Sequence, residues 1–198
     1  MLIFLDTEFT DLLNPELLSL GLVTLDGREF YAELDLTTDT GKARIKASSA
    51  FVQSGIFDMW GLVPGATGTE LEMGRRTGEW LLALAAETGT QIEIAFDYGM
   101  DYELMEYVIR DAGLWDQVCE VVSPVNVNPI TGTITGELGA EACFSELSKR
   151  GLKPHHALVS VITQFDGLMF TLRDGQGGKD LQQNGTGIAT GAVLAMSD

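Results

Sequence analysis

Leu2-Ile3-Phe4-Leu5-Asp6-Thr7-Glu8-Phe9-Thr10 is the stretch whose reading decides the fold of this chain. Four consecutive apolar residues read as a strand buried on both faces, at the centre of a sheet. The strand runs straight into Asp6 and Glu8. Side chains two apart on a strand share a face, so both carboxylates can converge at its end. Hard divalent cations require such oxygen ligands, and Mg²⁺ commonly takes one or two carboxylates together with substrate phosphates. Two ordinary polar residues at a strand end would give the same letters, so the remainder of the chain has to decide.

Working outward, Leu17 to Leu25 and Arg28 to Leu34 read as two further strands, with Asp26-Gly27 as a two-residue hairpin signal between them. Leu36 to Gly41 reads as a polar loop, Ala43 to Trp60 as weakly helical in its first part, and Val63 to Glu72 as a Gly- and Thr-rich loop. The spacing predicts a helix over Thr77 to Glu87 that buries Trp80, Leu81 and Leu84 and ends at Gly89. Gln91 to Phe96 is a strand. A helix then opens at Asp101, whose carboxylate can cap free N–H groups, and buries Leu104, Met105, Val108, Ile109 and Ala112.

Cys119 to Val125 is another strand candidate, followed by a turn at Thr131-Gly132-Thr133. Ala140, Cys143, Phe144 and Leu147 stripe the next helix, which stops near Gly151. Pro154 opens a last helix carrying Leu158, Val161, Ile162 and Phe165 inward. From Arg173 the chain turns Gly-rich and loses all period, as in a flexible or loosely docked tail. The order β-β-β-α-β-α-β-α-α implies an α/β layer on a mixed sheet, three antiparallel strands first and later strands joined through helices. The expected division is a domain over 1–172 and a tail over 173–198.

With 198 residues, 45% of them hydrophobic, the chain can bury the core of one domain. No apolar run reaches the length of a membrane span, and the N-terminus lacks a signal-type pattern, so a cytoplasmic protein without a membrane partner is expected. Cys119 and Cys143 form no disulfide or zinc pattern and are expected to pack as small apolar residues in a reducing compartment. Trp60, Trp80 and Trp115 are expected as core or interface anchors. A formal net charge of −17 argues against broad electrostatic adhesion to nucleic acid or anionic membranes. It does not exclude an enzyme that meets a phosphodiester through bound cations.

Three stations along the chain carry a family resemblance. Leu5-Asp6-Thr7-Glu8-Phe9 resembles the first motif of the DEDD-type 3′→5′ exonucleases, which have the ribonuclease H-like fold. Ile94-Ala95-Phe96-Asp97-Tyr98-Gly99-Met100-Asp101-Tyr102-Glu103-Leu104 resembles the second, with Phe96-Asp97 in place of the usual His-Asn pair and Asp101, rather than Asp97, in the aspartate's place. His155-His156-Ala157-Leu158-Val159-Ser160 resembles the third motif of the histidine-containing branch, His-x4-Asp, with Ser160 at the fourth acidic position. The resemblance covers roughly residues 1 to 165. It implies a two-metal phosphodiesterase, with Mg²⁺ or Mn²⁺ held by Asp6, Glu8 and Asp101 and with His155 as the base that deprotonates the attacking water. The implied substrate is the 3′ end of single-stranded RNA or DNA, RNA being the first expectation, and a homodimer is allowed.

Ser160 is where the chain departs from the family. A hydroxyl is a far poorer ligand for a hard cation than a carboxylate. Asp166 cannot replace it, lying about 9 Å further along a helix at the standard rise. His155 would sit about 140° around an ideal helix from Ser160, which fits a histidine projecting from just before the first turn. The chain therefore reads as an exonuclease with an incomplete site, or as a catalytically inactive ribonuclease H-like binding or scaffold module. On local grounds alone Asp101 reads equally as an N-cap, His155-His156 as exposed first-turn residues, and Ser160 with Thr163 and Gln164 as one solvated stripe.

Overall fold

A computed structural model describes residues 1–131 and, beyond them, 156–157 and 160–162. Its strands are β1 (Leu2–Phe9), β2 (Leu17–Thr24), β3 (Glu29–Leu34), β4 (Thr67–Gly68), β5 (Ile92–Phe96) and β6 (Val122–Asn126). Its helices are α1 (Asp39–Ala47), α2 (Ala50–Gly55), α3 (Glu70–Thr88), α4 (Gly99–Asp111), α5 (Trp115–Val118) and α6 (Asn128–Thr131), with a 3-10 turn over Phe57–Met59. The strands form one mixed sheet in the order β4-β3-β2-β1-β5-β6. β1, β2 and β3 run antiparallel to one another, whereas β5 lies parallel to β1 and β6 parallel to β5. The protein is thus α/β, an antiparallel meander extended by parallel strands that return through helices.

Alternation along β1 divides the core. Ile3 and Leu5 face one layer, where Met73, Leu81 and Leu84 of α3 and Leu104, Met105, Val108 and Ile109 of α4 bury their apolar stripes. Phe4 faces the other layer, with Val23, Tyr31 and Ala95, and this side is covered by Ala157 and Val161. Asp6 and Glu8 follow Phe4 at two-residue intervals and point to that second side, at the strand's C-terminal end. α3 and α4 meet closely at Gly74, where an added Cβ would lie 1.9 Å from the Val108 carbonyl oxygen. Only glycine fits there.

Several boundaries differ from the sequence expectation, and hidden caps explain most of them. The segment expected as a loop over Leu36 to Gly41 contains the start of α1, because the Thr38 hydroxyl accepts from Gly41 N. α3 begins at Glu70, seven residues before the expected Thr77, on a reciprocal capping box between Thr69 and Glu72. The two-residue β4 sits inside the expected Val63 to Glu72 loop. The Asp26-Gly27 hairpin is longer than two residues: Thr24 ends β2, its hydroxyl accepts from Arg28 N, and β3 resumes at Glu29. Gly89, with φ of 62°, ends α3 as expected.

Asp101 is not the N-cap of α4. Tyr98 holds that position, and Asp101 lies in the first turn with its carboxylate turned back to β1. Cys119 is exposed at the end of α5 instead of opening a strand, and β6 starts at Val122. Trp115 is buried, while Trp80 is partly buried against Phe30. Among the described residues no helix is long and apolar enough to cross a membrane. The expected turn at 132–133, the helix carrying Cys143, Leu158 and Phe165 of the last helix, Asp166 and the 173–198 tail lie outside the described residues.

Candidate functional site

The parallel pairing of β1 with β5 sets Phe4 level with Ala95. Two residues further along each chain, Asp6 and Asp97 reach the same end of the sheet. α4 follows at once, and its first turn brings Asp101 back over β1. Thr7 holds it there: its backbone N–H and its hydroxyl donate to Asp101 Oδ1 at 3.2 and 2.6 Å. One carboxylate oxygen each from Asp6, Asp97 and Asp101 lie within 4.8 Å of one another. Asp101 is 2% exposed, and its second oxygen, Oδ2, is buried without a hydrogen-bond partner among the described residues.

Such a cluster is electrostatically strained. Desolvation raises the Asp6 pKa well above its ordinary value, and the charges of Asp101, Glu8 and Asp97 push it the same way. Asp101 is raised to about 7, first by desolvation and then by Asp97, although hydrogen bonds from Thr7 act in the opposite sense. Burial also raises Asp97. Glu8 is raised to about 8 by burial and by Asp101. A divalent cation would reverse this strain, since it supplies the positive charge that the protein withholds. The half-buried Asp6 and Asp97 with the buried Asp101 could therefore hold a metal ion, and the orphaned Asp101 Oδ2 is an acceptor suited to it.

The expected site residues fall into three groups. Asp6 and Asp101 come together. Glu8 lies outside their close triad, near enough for its charge to act on Asp6, and it lines a narrow crevice with Ser19, Tyr31, Ile56, Met59, Trp60 and His156. His155 lies outside the described residues. Asp97 is the third acid of the triad, and the motif resemblance, which puts Asp101 in the aspartate's place, does not single it out. Its signal in the sequence is its place immediately after Phe96, the last residue of a strand that pairs beside β1.

Three residues of the third-motif stretch are described: Ala157 is buried, and Ser160 and His156 both depart from the solvated positions that their local sequence allows. Ser160 is not on a solvated stripe: it is half-buried, and its hydroxyl hydrogen-bonds the Asp6 carboxylate and lowers that group's pKa. The motif's fourth position thus reaches the acidic cluster, carrying a neutral donor. His156 is not an exposed first-turn residue but is 3% exposed, stacked on Tyr31 at 4.5 Å between ring centroids. Neither ring nitrogen has a hydrogen-bond partner among the described residues, and burial lowers its pKa to about 4, which keeps the imidazole neutral. Tyr31 is itself fixed by donating to Glu33 at 3.2 Å, and Glu33 also accepts from Gly61 N and the Thr67 hydroxyl.

Neither protein-family models nor curated protein sequences give a match to this chain.

Proposed function

We propose that this chain is a metal-dependent 3′→5′ exonuclease of the ribonuclease H-like type, acting on single-stranded nucleic acid, RNA in the first place. The observation that carries the reading is the convergence of Asp6, Asp97 and Asp101 at the C-terminal end of the paired β1 and β5. The position of Ser160 against Asp6 supports it, because the third motif then meets the first where the family resemblance requires. Asp6, Asp97 and Asp101 would hold Mg²⁺ or Mn²⁺, with Glu8 at the flank. When bound, such ions supply charge stabilisation to the attacking and leaving oxygens of an in-line displacement at phosphorus.

The chain's own residues prepare the site. Thr7 fixes the Asp101 carboxylate, so that its free oxygen is presented without searching rotamers. Ser160 donates to Asp6 and offsets part of the repulsion that Asp101, Glu8 and Asp97 exert on it. The water proton goes to a histidine of the third motif. His155 takes this role by resemblance, and the neighbouring His156 packs on Tyr31.

A second reading, a catalytically inactive binding or scaffold module, is favoured by one observation. The hydroxyl of Ser160 stands where a carboxylate ligand would complete the site. The two are separated by incubating the full chain with 3′- and 5′-labelled single-stranded RNA and DNA under Mn²⁺ or Mg²⁺ titration. The exonuclease reading expects a ladder shortening one nucleotide at a time from the 3′ end, abolished in Asp6→Asn and in Asp97→Asn, both still folded. A parent chain that binds oligonucleotide without shortening it in either metal supports the second reading.

A further inference from the structure

The aromatic residues around the start of α4 divide into two kinds. Tyr102, packed against the core, makes ring contacts with Phe96 at 5.5 Å and with Trp115 at 6.2 Å. Tyr98 is different: 48% of its surface is exposed, although its ring is held. It stacks on Phe9 with 6.3 Å between centroids and 22° between planes, an offset-stacked pair. Phe9 is partly buried against the core, so it supplies a fixed backing. Tyr98 directly follows Asp97 and is the N-cap residue of α4, where its carbonyl accepts from Asp101 N at 3.1 Å. The ring is therefore carried by the same few residues that position the acidic cluster.

A half-exposed aromatic ring backed by a second ring gains little for the folded state by its open side. It does offer a flat, weakly hydrated face, one residue along the chain from Asp97, on a backing ring one residue along from Glu8. Nucleobases stack on such faces, tolerantly of sequence because every base has a π-face. An acidic protein cannot rely on a basic groove to hold a polyanion, so uncharged stacking has the more to contribute.

We propose that Tyr98 is the platform on which a base of the bound single strand stacks, with Phe9 as its backing, so that the acidic cluster receives a phosphodiester already in register. This rests on the exonuclease reading. It makes Tyr98 a substrate-positioning residue whose loss raises KM rather than lowering kcat.

The test uses the full chain with an oligonucleotide carrying 2-aminopurine at its 3′ end, whose fluorescence falls on stacking. Binding is followed with Ca²⁺ and hydrolysis with Mn²⁺. Fluorescence should be quenched by the parent and by Tyr98→Phe, and not by Tyr98→Ala. Tyr98→Ala should raise KM about 5- to 100-fold with kcat nearly unchanged, while Tyr98→Trp should match the parent or bind more tightly. Circular dichroism of Tyr98→Ala should overlay the parent's. If the parent hydrolyses the strand and Tyr98→Ala leaves both quenching and KM unchanged, the platform is refuted and the exonuclease reading stands. If the parent neither quenches nor hydrolyses, both fall together.

Discussion

Replacing Asp101 by Asn should stabilise the metal-free protein at alkaline pH, although it disturbs a buried, hydrogen-bonded side chain. Asp101 is raised from 3.8 to about 7, so the folded state binds its proton more tightly than the unfolded state does. Stability is accordingly lowest above about pH 7, where the carboxylate must be charged in the fold, and is regained as pH falls toward 3.8. A shift of that size corresponds to about 4 kcal/mol. Asparagine keeps the shape and keeps an acceptor for Thr7, but its hydrogen bonds lose their charge assistance, which costs about 1–2 kcal/mol across the two donors. The net expectation is a gain of about 2 kcal/mol at pH 8.5, or roughly 4–8 °C in Tm for a chain of this length. The gain should shrink as pH is lowered to 5. The assay is thermal melting in chelator at both pH values, repeated with Mn²⁺, which should lift the parent's Tm and lift that of Asp101→Asn much less. If Asp101→Asn lowers Tm at pH 8.5 in chelator, then the carboxylate is a structural acceptor for Thr7, and the reasoning from repulsion fails.

Ser160→Asp should act with opposite signs in the two conditions. Without metal it should lower Tm by adding a charge beside Asp6; with Mn²⁺ it should raise Tm above the parent's and raise oligonucleotide turnover by orders of magnitude. Unchanged metal response and unchanged turnover would place Ser160 outside the site's chemistry. Gly74→Ala should destabilise by about 3 kcal/mol, because the added methyl meets the Val108 carbonyl across the α3–α4 contact. A urea melt showing less than about 1 kcal/mol would mean that the two helices separate at little cost.

What could be read from the sequence was what short-range pattern governs. The apolar run of β1, the meander after it, the helical stripes of α3 and α4, and the presence of Asp6 and Asp101 at element ends all follow from periods of two and 3.6 within a few residues. Helix starts are not legible where a capping threonine lies inside a Gly- and Thr-rich stretch, since Thr38 and Thr69 look the same in a loop as in a cap until the hydrogen bond is formed.

The meeting of the site's residues was decided elsewhere. Asp97 becomes a neighbour of Asp6 only because β5 lies parallel to β1 with Phe4 level with Ala95. Asp101 leaves the capping role that its local sequence favours because Thr7, 94 positions earlier, offers it two donors. Ser160 leaves a solvated stripe because Asp6 is there to accept a hydrogen bond from its hydroxyl, and His156 is buried because Tyr31 presents a ring to it. A local pattern fixes which face a side chain takes on its own strand or helix. Which charges then share one desolvated space depends on strand order and register, and those are set by contacts between residues tens of positions apart.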